Sequence, residues 1–179
     1  QARGCHNLNW VSPSHQVPAL VRALALAADR GLSIPVVYNS NGYDSVATLE
    51  LLEGVVDVWM PDLTYADPEM GARLSGVPDY PQRARQALEE MHRQVGDGWR
   101  LDADGALRRG LLIRMLVLPG EVAGIGDNLQ WVARTLSPRV AVSLLAQYHP
   151  AHLAACPGRH PGIDRRLTRD EWEAAVEAL

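Results

Sequence analysis

The sequence predicts an α/β fold in which helices cover a parallel sheet. Short apolar stretches rich in β-branched residues alternate along the chain with stretches of helical periodicity. The strand candidates are apolar throughout, as strands buried on both faces are, and not half polar. Each one also ends in polar or turn-forming residues, and parallel sheets bind their ligands beyond the carboxyl ends of the strands.

Leu8, Trp10 and Val11 lead into Ser12-Pro13-Ser14, so a first strand ends in a loop. Ser14 reads as an N-cap, Pro18 suits the first helical turn, Leu20, Leu24, Ala27 and Ala28 share a helical face, and Gly31 stops the helix. A second strand, Ile34–Tyr38, runs into the turn Asn41-Gly42, and a helix through Thr48, Leu49, Leu51 and Leu52 ends at Gly54. The third strand, Val55–Met60, closes at Pro61-Asp62, with helical segments expected over Pro68–Leu74 and Pro81–Val95. Asp102-Ala103-Asp104-Gly105 reads as a hairpin turn between short strands. Leu111–Leu118 is the strongest strand signal, stopped by Pro119-Gly120. A helix over Asp127–Leu136 leads to the last strand, Val140–Leu145, and the His-, Pro- and Gly-rich tail from Gln147 to Arg166 reads as loop.

At 179 residues, the chain suffices for one domain, 1–179, burying about 70% of the surface its unfolded form exposes. Its 47% hydrophobic and 21% charged residues exclude a disordered chain. No apolar run approaches the roughly 20 residues of a bilayer span, and no signal peptide is visible. Cys5 and Cys156 make no secreted disulfide framework, so a cytoplasmic location is expected. The net charge of −4 argues against a nucleic-acid surface. There is no lysine, which excludes a Schiff-base aldolase and a Walker A site. No HExxH or GxSxG stretch occurs either. Both ends read as cut: the chain opens at Gln1 almost directly into a strand. It stops at Leu179 within an amphipathic helix that carries Trp172, Ala175, Val176 and Leu179 on one face.

Four strand ends carry a resemblance: Tyr38-Asn39-Ser40-Asn41-Gly42-Tyr43, Met60-Pro61-Asp62, Arg114-Met115-Leu116-Val117-Leu118-Pro119-Gly120 and Ala146-Gln147-Tyr148. Together they resemble the pyruvate formate-lyase activating-enzyme group of radical S-adenosylmethionine proteins. An uncharacterised branch of that group is the most similar, with stretches like Gly4-Cys5-His6-Asn7, Met91–Asp97 and Ile163–Thr168. The resemblance implies an incomplete, TIM-like barrel of parallel strands. The five strands here, near residues 7–12, 34–39, 55–60, 111–118 and 140–145, would be the second to sixth of six.

It further implies two cofactors, S-adenosyl-L-methionine and a 4Fe–4S cluster, the cluster held by a CxxxCxxC loop after the first strand. Cys5 and Cys156 are too few and too far apart in sequence to be that triad. The expectation is therefore a fragment whose first strand and cysteine loop precede Gln1, inactive and cluster-free by itself. The implied reaction is reductive cleavage of S-adenosylmethionine to a 5′-deoxyadenosyl radical that abstracts hydrogen. The implied partners are a glycyl-radical enzyme or other protein substrate and an electron donor such as flavodoxin or ferredoxin. A cluster-free α/β-barrel lyase or isomerase, and a truncated domain that only binds a partner, stay open as alternatives.

Site residues are implied position by position. Ser12-Pro13 stands where the family has a Gly-Gly-Glu-Pro-like turn that meets the methionine amino group, and the paired glycines are missing here. Asn39 and Ser40 stand where the family places polar side chains near the methionine or a monovalent cation, although Asn41-Gly42 would equally set a turn. Asp62 follows an apolar strand directly and must be solvated or paired. Its carboxylate suits an ammonium or a cation, or else caps the Tyr65–Pro68 segment. Thr64 replaces a lysine that contacts the methionine carboxylate in many relatives, exchanging a charge-assisted bond for a neutral one of about half the strength. His149 matches a cofactor-contacting histidine. His149, His152, Cys156 and His160 have zinc-compatible spacing, yet they share a loop with Pro150, Pro157, Gly158 and Pro161 and read as exposed.

Overall fold

The computed structural model describes residues 1–156 and 158–179; Pro157, which the sequence places in the histidine-rich loop, lies outside the described residues. Five strands run parallel in chain order: β1 (Leu8–Val11), β2 (Val36–Ser40), β3 (Val58–Pro61), then β5 (Leu107–Leu116) and β6 (Ala141–Leu145). Sheet order follows sequence order, as an incomplete barrel of successive βα units requires. A sixth strand, β4 (Arg100–Leu101), pairs antiparallel with the start of β5 and forms one arm of the hairpin turned at Asp102–Gly105.

The register puts Trp10, Tyr38, Trp59 and Leu111 side by side on one face. Because side chains alternate along a strand, Asn39 and Met60 stand on the other face, with Leu112, Arg114 and Leu116 from β5. The first face is dry. Trp59, Ile113 and Met115 are fully buried there in one cluster with Leu88 and Met91 of α4 (Tyr80–Val95). Each such side chain contributes about 1.5–3 kcal/mol by leaving water. The second face is half open at Asn39, Met60, Asp62, Leu112, Arg114 and Leu116 and along all of β6.

Several boundaries differ from expectation. β3 begins at Val58 because Asp57 turns its carboxylate onto the Val36 amide (2.8 Å) at the start of β2. β5 begins four residues before its apolar run, because β4 pairs with Leu107 and Arg109. Gly110 inside it admits the Trp99 ring: a Cβ there would sit 2.9 Å from Trp99 Cδ1.

The first helix, α1 (Val17–Ala28), does carry Pro18 in its first turn, but Ser14 is not its cap. Gln16 holds that position without a side-chain bond, and the Ser14 hydroxyl donates to Asp44 instead. In α2 (Val46–Leu51), Leu49 is buried while Leu51 is 81% exposed. Asp67, not Asp62, caps α3 (Pro68–Ser75), accepting from the Glu69 amide at 2.8 Å. The helix expected over Asp127–Leu136 starts at Ile125 as α5 (Ile125–Trp131) and finishes in a π turn, Val132–Leu136. The last helix, α6 (Arg169–Glu177), opens on a complete Thr168/Glu171 capping box. Ala175 is buried on it, but Val176 and Leu179 are exposed. Among the described residues, no helix is long and apolar enough to cross a membrane.

Candidate functional site at the strand ends

Three polar side chains from three strands meet on the half-open face. The Arg114 Nη2 of β5 donates to Asn39 Oδ1 of β2 at 2.7 Å and to Asp62 Oδ1, just past β3, also at 2.7 Å. A parallel bridge between Asp62 and Arg114 sets the two at one level. Burial pushes the Asp62 carboxyl above its ordinary value, and the adjacent guanidinium pulls it back only in part. Arg114 Nε is buried and has no partner among the described residues. The cluster thus offers a carboxylate, an amide and a guanidinium with a donor still unsatisfied. Buried donors in folded proteins are nearly always paired, so this one marks a place for an acceptor.

Ser40 points the other way. Its hydroxyl is buried and donates to Asp44 Oδ2 (2.6 Å), while it accepts from the Gly42 amide (3.2 Å). Asp44 also accepts from Ser14 (2.5 Å) and Tyr38 (2.9 Å), so one buried carboxylate ties the β1 exit to the β2 exit. Ser12 is exposed with φ +50°. Its amide donates to Asn39 O (2.8 Å), and Pro13 is buried below it. The Thr64 amide and Oγ1 both lie on the Tyr80 hydroxyl, at 3.0 and 3.2 Å. His149 is exposed on the tail after β6.

Of the residues nominated from sequence, Asn39 and Asp62 therefore come together, with Thr64 two residues beyond Asp62. Ser40 is committed to the core side, and Ser12, Pro13 and His149 lie on separate loops. Arg114 and Tyr80 were not nominated. Arg114 carried a usable signal, the single charge in the apolar run Leu111–Leu118.

A cavity of about 320 Å³ opens elsewhere, at the β5 exit, walled by Val117, Leu118, Ile125 and Ala175 and rimmed by Glu121, Asp127 and Glu171. Its lining includes none of the nominated residues. Among the described residues, no group of three or more His, Cys, Asp or Glu is placed to hold a metal ion. Cys5 and Cys156 are free and exposed.

No family model matches the chain. An uncharacterised protein of Methanocaldococcus jannaschii is 31% identical over 172 residues, a match that covers 96% of this chain and 45% of that protein. The chain thus spans less than half the length of the curated relative it matches. The crystal structure of a domain of pyruvate-formate lyase-activating enzyme from Bacteroides vulgatus superposes with a TM-score of 0.63 at 15% identity. That superposition covers 97% of this chain and 91% of the domain. The chain accordingly has the fold of that domain, an α/β fold whose parallel strands follow one another in sequence order.

Proposed function

We propose that this chain is the S-adenosylmethionine-binding part of a radical S-adenosylmethionine enzyme of the activating-enzyme kind. The observation that carries the reading is the Asp62–Arg114–Asn39 cluster on the open face of a sheet with that fold. The methionine end of the cofactor is a zwitterion, an ammonium beside a carboxylate. Asp62 suits the ammonium, with a second carboxylate oxygen beyond the one paired to Arg114. Arg114, with its unsatisfied Nε, suits the carboxylate, and Asn39 orients the guanidinium between them. Thr64 adds one neutral donor, while Ser40 supports the β2 exit through Asp44 and Ser12, Pro13 and His149 stand outside the cluster on separate loops. The half-buried setting strengthens each of these bonds relative to water.

A 4Fe–4S cluster does not fit the residues of this chain, whose two cysteines are both exposed. The chemistry that S-adenosylmethionine supplies when bound and reduced is a 5′-deoxyadenosyl radical for hydrogen abstraction. A glycyl-radical enzyme is the proposed target, and flavodoxin or ferredoxin the proposed electron source. The test is anaerobic incubation of the full-length parent protein with S-adenosylmethionine and dithionite. Formation of 5′-deoxyadenosine and methionine is the expected result. Failure of a cluster-loaded protein to form either, with the cofactor left intact, would favour a cluster-free lyase or a binding domain.

A further inference from the structure

We infer that Tyr80 is a positioning residue for the cofactor site: its one hydroxyl latches the β2 exit to the β3 exit and so sets where Asp62 and Thr64 stand. The inference rests on the reading of Asp62 as a cofactor-binding residue. Tyr80 begins α4 on the helical layer and is only 6% exposed. Its hydroxyl lies 2.8 Å from Asn41 O, on the β2 exit. From the β3 exit it meets the Thr64 amide at 3.0 Å, Asp62 O at 3.2 Å and Thr64 Oγ1 at 3.2 Å. A phenol has one proton to give. The shortest contact assigns that proton to Asn41 O, and the Thr64 N–H then donates to the phenol oxygen. One atom thereby holds both loops.

The loops are pressed together at the same spot. A Cβ on Gly42 would lie 2.2 Å from Asp62 O and 3.6 Å from the Tyr80 hydroxyl. The ring cannot swing aside, because Tyr43 stacks on it (centroids 6.3 Å apart, planes at 10°) and Tyr65 meets its edge (5.6 Å, 75°). Tyr43 is itself anchored through its hydroxyl to Asp79. Burial pushes the Tyr80 phenol up to about 12, so it remains a neutral donor throughout the working pH range. Tyr80 is not itself among the proposed ligand contacts; of the groups it holds, Thr64 is. Its effect is to fix the level of Asp62 against Arg114, and a misplaced binding group loses affinity steeply.

The experiment titrates S-adenosylmethionine into the anaerobic full-length protein, comparing wild type with Tyr80→Phe, Tyr65→Phe and Asp62→Asn well below their melting points. Tyr65→Phe is the control: it also deletes a tyrosine hydroxyl bond, part-buried, to Ser75 Oγ at 3.0 Å, in the same ring cluster but directed away from the strand exits. Removing one neutral hydrogen bond corresponds to about two- to tenfold. We expect Tyr80→Phe to raise the Kd by that factor and Asp62→Asn to raise it further, with Tyr65→Phe unchanged. Amide exchange at Thr64 should quicken in Tyr80→Phe alone, and KM for deoxyadenosine formation should rise while kcat holds within about twofold. If Asp62→Asn weakens binding while Tyr80→Phe matches wild type, the latch is overturned and the site stands. If Tyr65→Phe weakens binding as much as Tyr80→Phe, the effect is general loosening and the latch is again overturned. If Asp62→Asn binds as wild type does, the site itself is refuted.

Discussion

Replacing Asp62 by asparagine keeps the shape of the side chain and removes its charge, which separates a structural role from a binding one. Two unit charges about 4 Å apart attract by about 4 kcal/mol at an effective dielectric near 20. Here the carboxylate and guanidinium side chains are 35% and 25% exposed, so solvent screening reduces that attraction to about 1 kcal/mol, and desolvation of the carboxylate offsets it. Burial already holds the Asp62 carboxyl above its ordinary value despite Arg114, so the folded chain tolerates the charge without gaining from it. Asp62→Asn should therefore change stability by less than about 1 kcal/mol, a melting shift within about 4 °C for a chain this size.

Arg114→Gln strips the carboxylate of its counterion and should cost about 2 kcal/mol at neutral pH. A group whose pKa is raised on folding stabilises below its unfolded value, near 3.8 here, and that contribution is lost as pH rises through the folded value. The Arg114→Gln deficit should thus be largest at neutral pH and shrink toward pH 4. In the double variant no charge remains, and the loss should fall back toward that of Asp62→Asn, a coupling of about 1 kcal/mol or more. Urea unfolding of the four proteins at pH 4 and pH 7 measures all of this. Strictly additive effects, or an Asp62→Asn protein that melts several degrees lower yet binds the cofactor as wild type does, would refute the reasoning and make Asp62 a structural residue.

Three further outcomes follow from the packing. Gly42→Ala puts a Cβ against Asp62 O at 2.2 Å and at φ +78°, so it should cost about 2–4 kcal/mol, read as a fall in Tm. Asp44→Ala leaves the hydroxyls of Ser14, Tyr38 and Ser40 without their acceptor and should cost about 3 kcal/mol or more in urea unfolding. Arg139 and His92 together hold Asp97 down to about 2. Its contribution is present above pH 4 and lost between about 4 and 2, so Asp97→Asn should flatten Tm against pH in that window and lower Tm at pH 7.

The strands were legible because runs such as Val36-Val37-Tyr38 and Leu111–Leu116 have little other way to bury so much apolar surface. The polar start of β5 was not, since Leu107-Arg108-Arg109 is drawn into the sheet by pairing with β4 and not by its own hydrophobicity. At the site, the carboxylate after an apolar strand stood out at Asp62. Adjacent Asn39 and Ser40 cannot share one face of a strand, so alternation alone would have assigned them to opposite sides. The hubs at Asp44 and Tyr80 have no local signature. Their partners are up to 30 and 39 residues away in sequence, contacts that only the folded chain reveals.

The central claim is that the strand-end cluster binds S-adenosylmethionine, and calorimetric titration of that compound into the anaerobic full-length protein, wild type against Asp62→Asn, tests it most directly. A charged hydrogen bond is worth about 1.5–3 kcal/mol, so the account predicts saturable binding that Asp62→Asn weakens about ten- to a hundredfold with the fold intact. Absence of binding to the wild type, or equal affinity in the two proteins, would contradict it.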